Sequence, residues 1–290
     1  MQNVQREFKK ISMAAKALVV DEGKVLILRG KQSPDIGSGE FDLPGGRLKP
    51  CEDFVQALKR EVKEECGLNV KVIAPLKVFF FKAKDKSIRA GVNFLCEVEE
   101  KGEVKLSGEH ASYEWANVNE ILTNANYPDW LRDLIRRYLK IEELRKEGRS
   151  VVRAAKAFIV KNNRAFLLCG KKEPEFEEAD FDLPGRQLKE DEDFIAGLRR
   201  ETREECNLDV KVIAPLNTFL LVARDNTIRA GINFLCEMIG EEENIKLSEH
   251  ASYAWAEINR VVSEGLFPTW LREIARKYFE LMEMLHEKRD

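Results

Sequence analysis

An excess of charge of either sign is missing from this 290-residue chain, in which 48 Lys and Arg stand against 51 Asp and Glu for a formal net charge of −3. That balance excludes the basic footprint of a duplex nucleic-acid binder and the polybasic patch of a membrane-surface protein. Long apolar runs are missing as well. No stretch approaches the roughly 18 residues of a spanning helix, and the opening MQNVQREFKKISMAAKALVV lacks the apolar core and small-residue cleavage site of a secretory signal. Cysteine is sparse: the six (Cys51, Cys66, Cys96, Cys169, Cys206, Cys236) form no C-x-x-C pair, which argues against a disulfide scaffold and for reduced thiols. The expectation is a cytoplasmic protein without a membrane partner. What is present, 44% hydrophobic and 34% charged residues, is the balance of a globular chain, and the length calls for two cores rather than one.

The halves repeat. AAKA at 14–17 returns at 154–157, FDLPG at 41–45 at 181–185, VKVIAPL at 70–76 at 210–216, NFLCE at 93–97 at 233–237 and HASY at 110–113 at 250–253, each at an offset of 140. A period this long is a whole globular unit, not a solenoid repeat of about 20 to 50 residues. The expected organisation is a first domain over 1–140, a linker over 141–150 that includes the end of a helix, and a second domain over 151–290.

One copy reads as strands at Ala15–Val20 and Val25–Leu28, a Pro/Gly/Ser-rich loop at Gln32–Gly46, and a helix over about Asp53–Cys66. Strands at Val70–Phe81 and Ile88–Val98 follow, then a loop, an ASYxW strand and a C-terminal helix. The order is that of an α/β domain. Pro128–Glu147, with apolar Leu131, Leu134, Ile135, Tyr138 and Leu139 and a Gly148 stop, reads as amphipathic, and Pro268–Leu285 is its counterpart. Matching helices allow either an intramolecular pseudo-dimer or two helices that each cover their own domain.

The chemistry concentrates on the first of these helices. Glu61, Glu64 and Glu65 fall at i, i+3 and i+4, one contiguous arc beside the apolar stripe of Phe54, Leu58 and Val62. Like charges so placed repel unless a cation neutralises them, and oxygen-only ligands select a hard ion such as Mg²⁺ or Mn²⁺. KREVKEE by itself also reads as an ordinary solvated helix with an Arg60–Glu64 surface pair.

The longer pattern decides between these readings. Gly46, Glu52, Arg60-Glu61, Val62, Glu64-Glu65, Gly67 and Leu68 fill every specified position of G-x5-E-x7-R-E-U-x-E-E-x-G-U, where U is apolar, a coincidence of about one window in 10⁸. The chain resembles the Nudix hydrolase family, over most of both halves. The resemblance implies two tandem α/β/α sandwich domains with mixed β-sheets. It also implies a metal-dependent pyrophosphohydrolase, cleaving a nucleoside diphosphate linked to another group by attack of water on phosphorus. It gives Glu61, Glu64, Glu65 and the Gly46 carbonyl as Mg²⁺ or Mn²⁺ ligands, with one of the carboxylates holding or deprotonating the water. Arg60 and Glu52 would fix the loop-helix-loop shape, and Gly67 would end the helix in the left-handed region. Glu109, on a late loop, is the candidate for a further carboxylate, against the reading of a plain surface acid. His110 and His250 would orient that loop or cap a turn. A nucleotide-sensing protein that has kept the fold and lost turnover is the alternative.

The second box, over 186–208, keeps Glu192, Arg200, Glu201, Glu204 and Glu205, with Glu249 as the late-loop counterpart, and loses its glycines: Arg186 stands at the Gly46 position, Asn207 at Gly67 and Thr202 at Val62. Asn tolerates the left-handed conformation and Thr matches Val in shape, so the expectation fastens on Arg186. If the Gly46 position requires positive φ or close approach to the ion, a side chain there distorts the loop; alternatively Arg186 contacts substrate phosphate. For substrate contacts, Phe79, Phe80 and Phe81 follow the box on a strand, where an aromatic can stack on a base or simply pack. Arg89 and its counterpart Arg229 either reach a phosphate or sit exposed on the strand. Trp115, Trp255, Trp130 and Trp270 read as core anchors. The proline that marks the ADP-ribose class about fifteen residues beyond the box is absent, which favours a nucleoside triphosphate or modified nucleotide as the small-molecule partner.

Overall fold

A computed structural model describes residues 8, 10–30, 41–100, 102–171 and 181–286. The chain divides into two compact units, Ser12–Val151 and Val152–Asp290 with Met1–Ile11. In the first unit β1 (Ile11–Asp21), β2 (Lys24–Gly30) and a short β3 (Gly45–Arg47) precede the box helix α1 (Phe54–Cys66). There follow β4 (Val70–Lys82), β5 (Ile88–Val98), β6 (His110–Asn117), α2 (Val118–Thr123) and α3 (Asp129–Lys146). The second unit repeats the plan with β7 (Val151–Lys161), β8 (Arg164–Lys171), β9 (Phe181–Asp182), α4 (Phe194–Cys206), β10 (Asp209–Val222), β11 (Ile228–Ile239), β12 (His250–Glu257), α5 (Ile258–Ser263) and α6 (Thr269–His286).

Each sheet has six strands, in the order β4-β5-β1-β2-β6 with β3 on β1, and β10-β11-β7-β8-β12 with β9 on β8. Nine consecutive residues of β5, Ile88–Cys96, are buried, and so are Ile228–Cys236 of β11. A strand whose two faces are both dry has a layer on each side, which makes each unit a three-layer α/β sandwich. The β4–β5 hairpin breaks register at Val72/Ala74 and again at Pro75/Lys77, and β10–β11 does so at the equivalent positions. Proline donates no ladder hydrogen bond, so Pro75 and Pro215 sit where the ladder is already interrupted.

The box helices form for local reasons. Asp53 accepts from the Gln56 N–H and Asp193 from the Ile195 and Ala196 N–H groups, capping the first turns. At the other end Gly67 (φ 72°) and Asn207 (φ 54°) both adopt the left-handed cap. Asn207 adds a hydrogen bond from Nδ2 to the Asn244 carbonyl, and Thr202, fully buried, donates to the Arg199 carbonyl. Both replacements are accommodated, as their residue types suggested.

Several expectations change. The loop expected over Gln32–Gly46 lies outside the described residues as far as position 40, and its end is not loop: Gly45 and Gly46 pair with Lys16 and Ala15 as strand β3. Trp130 and Trp270 are not core anchors, being 41% and 38% exposed near the start of their helices, and Trp115 and Trp255 are half-buried. On α3 the buried stripe runs through Leu131, Leu134, Ile135, Ile141 and Leu144, leaving Leu139 on the exposed face. Among the described residues no helix is long and apolar enough to cross a membrane.

Candidate functional site

The two motifs that recur most plainly in the sequence meet in space. Ala17 of AAKA donates to the Pro44 carbonyl, and Lys16 donates from Nζ to both Asp42 and the Leu43 carbonyl at 2.9 Å. Lys156 does the same with Asp182 and Leu183. This staple brings the glycine turn onto β1. Gly45 sits at φ 133°, and a Cβ there would lie 2.2 Å from the Ala15 carbonyl oxygen; Gly185, at φ 118°, faces Ala155 at the same distance. Only glycine fits such a position. The box positions therefore do not carry the conformational demand of this loop, and its source, the glycine before the box, was signalled only by its recurrence in both halves.

Gly46 is constrained differently. Its φ is not positive, and a Cβ would fall 2.7–2.8 Å from the carboxylate of Glu61. The missing side chain leaves room for Glu61 to lie against the strand. Arg186 is not in the left-handed region either, and its carbonyl still accepts from the Ala155 N–H, but the three-residue pairing of β3 is reduced there to a single bridge between Ala154 and Gln187.

Arg60 organises the remaining acids. Nε and Nη2 hold both oxygens of Glu52 at 2.7 and 2.9 Å, while Nη1 reaches Glu61 at 2.6 Å and Glu64 at 3.1 Å. Glu52 also accepts from the Lys49 N–H, closing the loop before the helix. The bidentate pair holds the Glu52 carboxyl down at about 2 and raises the Arg60 guanidinium above its ordinary value. Glu65 is 7% exposed: the Gly45 N–H donates to Oε2 at 2.8 Å, and the buried His110 Nε2 stands 3.3 Å from Oε1 without a hydrogen bond to it. Exposure rises along the arc, from side-chain values of 9% at Glu65 and 17% at Glu61 to 55% at Glu64.

The second box repeats the clamp. Arg200 holds Glu192 at 2.8 and 2.7 Å, Glu201 at 2.5 Å and Glu204 at 3.1 Å, and Gly185 donates to Glu205 at 2.7 Å. Burial and the neighbouring Glu205 and Glu65 charges push the Cys206 and Cys66 thiols up to about 12, so these helix-end cysteines are inert packing. Cys51 is exposed.

The late-loop acids differ in what surrounds them. Ser107 and Ser248 donate from their backbones to the Glu65 and Glu205 carbonyls, tying both loops to the helix ends. Glu249 lines a cleft of about 270 Å³ together with Glu201, Glu204, Glu205 and Arg186. Glu109 is exposed, its N–H donating to Ser107 Oγ.

Other candidates are engaged elsewhere. Arg89 is 5% exposed and spends its guanidinium on Ser12, Ser87 and Asp85, stiffening the turn into β5, and Arg229 does the same with Thr227 and Asp225. Neither arginine is an exposed strand residue. Phe79 lies across Gly91 of the neighbouring strand, where a Cβ would meet its ring at 2.1 Å, and stacks on Phe81 at 6.0 Å. The three phenylalanines are all half-buried.

Among the described residues no group of three or more His, Cys, Asp or Glu is arranged to hold a metal ion by itself. The acids of the first box are all-oxygen donors, and Glu61 and Glu64 converge on Arg60 Nη1 at 2.6 and 3.1 Å. Mg²⁺ commonly takes one or two protein carboxylates and fills its other positions with water and substrate phosphate, so a small all-oxygen set of this kind fits it.

Comparison with known proteins follows the same division. The family model described as NUDIX domain matches residues 10–138 and 151–281. An 8-oxo-dGTP diphosphatase of Buchnera aphidicola is 41% identical over 64 residues, 22% of this chain and 44% of that protein. An ADP-ribose pyrophosphatase of Methanocaldococcus jannaschii is 29% identical over 111 residues, 38% of this chain and 64% of that one. The chain thus spans less than two thirds of either relative. Among solved structures, a MutT protein from Methanosarcina mazei superposes with a TM-score of 0.40 at 27% identity, covering 46% of this chain and 96% of that one. An Ap4A hydrolase of Caenorhabditis elegans gives 0.38 at 22%, covering 46% and 98%.

Proposed function

The chain belongs to the NUDIX domain family, and from that premise we propose that it is a metal-dependent pyrophosphohydrolase whose principal site is the first box. The observation that carries this reading is the Arg60 clamp over an unobstructed Gly46, which gathers Glu52, Glu61 and Glu64 beside the fixed carboxylate of Glu65. A divalent ion bound there supplies a more acidic water and neutralises phosphate oxygens. The protein's own part is positioning. Glu65, fixed by the Gly45 N–H, Glu61, lying on Gly46, and the Gly46 carbonyl would hold the ion.

Glu64 is the most open of the three acids and is the residue we assign to the attacking water, with Arg60 at 3.1 Å and Lys49 at 3.9 Å on its two carboxylate oxygens. Glu109 enters from the loop tethered at Ser107, as Glu249 does in the cleft of the second unit. The relatives are named for 8-oxo-dGTP, ADP-ribose and bis(5'-nucleosyl) tetraphosphate. Every one of these is a phosphate anhydride on a nucleoside, and the absent ADP-ribose-class proline turns our choice toward a nucleoside triphosphate or modified nucleotide. The half-buried Phe79 and Phe81 pair is the stacking surface we assign to the base. Mg²⁺ or Mn²⁺ added to the protein with a panel of nucleotides should release nucleoside monophosphate, and EDTA should abolish the release; the absence of turnover on every substrate would refute the reading.

A further inference from the structure

The second box keeps every carboxylate of the first and still does not fit a divalent ion. At the Gly46 position stands Arg186, whose carbonyl accepts from the Ala155 N–H and whose Nη1 donates to both oxygens of Glu249 at 3.1 and 3.4 Å. In the first unit Gly46 contributes no side chain, and the Glu61 carboxylate lies within 2.8 Å of where a Cβ would stand. Glu201 is correspondingly more withdrawn than Glu61, with side-chain exposures of 9% and 17%. Arg186 therefore places a permanent positive charge at the mouth of the carboxylate arc and couples it to the late-loop acid.

The cations of the cleft are placed differently from those of the first unit. Arg186 joins Lys189 and Arg200 against four carboxylates, so three cations face four acids. At the equivalent positions of the first unit Arg47, Lys49 and Arg60 face Glu61, Glu64, Glu65 and Glu109, also three against four. The count is the same; what differs is the place of the third cation, which Arg186 brings to the Gly46 position and onto Glu249. A guanidinium stays protonated at any working pH and makes directional bonds to a carboxylate, so the substitution is permanent and not a titrating switch.

We infer that the second domain has exchanged its divalent-cation site for a tethered cation: Arg186, bridged to Glu249, occupies the charge role that an ion fills in the first domain, and the second cleft takes up no divalent metal. The tandem chain then has one metal-dependent cleft and one metal-free cleft, and a single side chain holds the second in that state. The inference rests on the first-box reading for its contrast, and its own prediction concerns the second cleft alone.

Mn²⁺ binding to the full-length chain, followed by electron paramagnetic resonance of the free ion, tests it. In wild type, Glu204→Gln with Glu205→Gln should leave Mn²⁺ binding unchanged. In a chain whose first box is silenced by Glu61→Gln and Glu65→Gln, affinity should fall at least tenfold. Adding Arg186→Gly should recover at least tenfold, and adding Glu204→Gln with Glu205→Gln should remove that recovery. Loss of bound Mn²⁺ from wild type on changing Glu204 and Glu205 would overturn the inference, whether or not the Arg186 variant folds. So would an Arg186→Gly chain that melts like wild type and gains no ion. A wild type that binds no Mn²⁺ at all would count against the first-box reading, while the gain on Arg186→Gly would still report on the second cleft.

Discussion

The two box helices hold their acids in nearly the same way and differ in what faces them. Arg60 and Arg200 clamp the preceding glutamate at 2.7–2.9 Å and the two following ones at matching distances. The clamp is set by spacing along one helix and one loop, so it survives wherever the spacing survives. The segment facing it follows the glycine turn, and there one unit presents Gly46 and the other Arg186. A framework can thus be retained in full while the residue that faces it changes.

The sharpest way to break the comparison is to move the difference across. Gly46→Arg should cut kcat/KM of the first site by about a hundredfold, because its Cβ would stand 2.7–2.8 Å from the Glu61 carboxylate and push it out of place. Turnover within a few-fold of wild type would show that the glycine is dispensable. The glycine before it should behave oppositely, affecting both units alike. Gly45→Ala and Gly185→Ala each push a Cβ to 2.2 Å from a carbonyl oxygen at positive φ. Thermal unfolding should reveal a loss on the order of 2–3 kcal/mol from either, whether or not the unit is catalytic; a tolerant second unit would mean its turn is looser than the first.

A smaller effect should come from Glu52. Its carboxyl is held at about 2 in the folded protein against 4.5 unperturbed, chiefly by the Arg60 hydrogen bonds. A lowered pKa contributes stability in full above about 4.5 that is lost as pH falls from there toward 2. Glu52→Gln should therefore melt earlier than wild type at neutral pH, and the gap should close as the medium is acidified below about 4.5. A gap independent of pH would assign the loss to packing. Glu192 is shifted in the same direction by Arg200, so Glu192→Gln should show the same closing gap in the second unit.

Much of this was readable in the sequence because it depends on local spacing. The left-handed Gly67 and Asn207 follow from residue type at the helix end, and the common arc of Glu61, Glu64 and Glu65 follows from helix periodicity. The recurrence of AAKA and FDLPG announced that both stretches mattered, although not that Lys16 staples them. What escaped involves partners far apart in the chain. Glu65 with Gly45 and His110, Arg89 with Ser12, and Arg186 with Glu249 are separated by 20 to 77 residues, and pattern alone does not say which polar groups a fold will bring together. Trp130 and Trp270 misled for another reason: a large apolar residue in the first turn of a helix need not point at the sheet, and here both stand outside the buried stripe.

The central claim is that one of two similar boxes carries the chemistry, and the most direct test compares their equivalent acids in the full-length chain. Glu64→Gln should lower metal-dependent nucleotide hydrolysis by about 10²–10⁴, whereas Glu204→Gln should leave it at the wild-type rate. Equal losses from the two substitutions would contradict the account, and would mean that Arg186 is compatible with turnover and that both domains work.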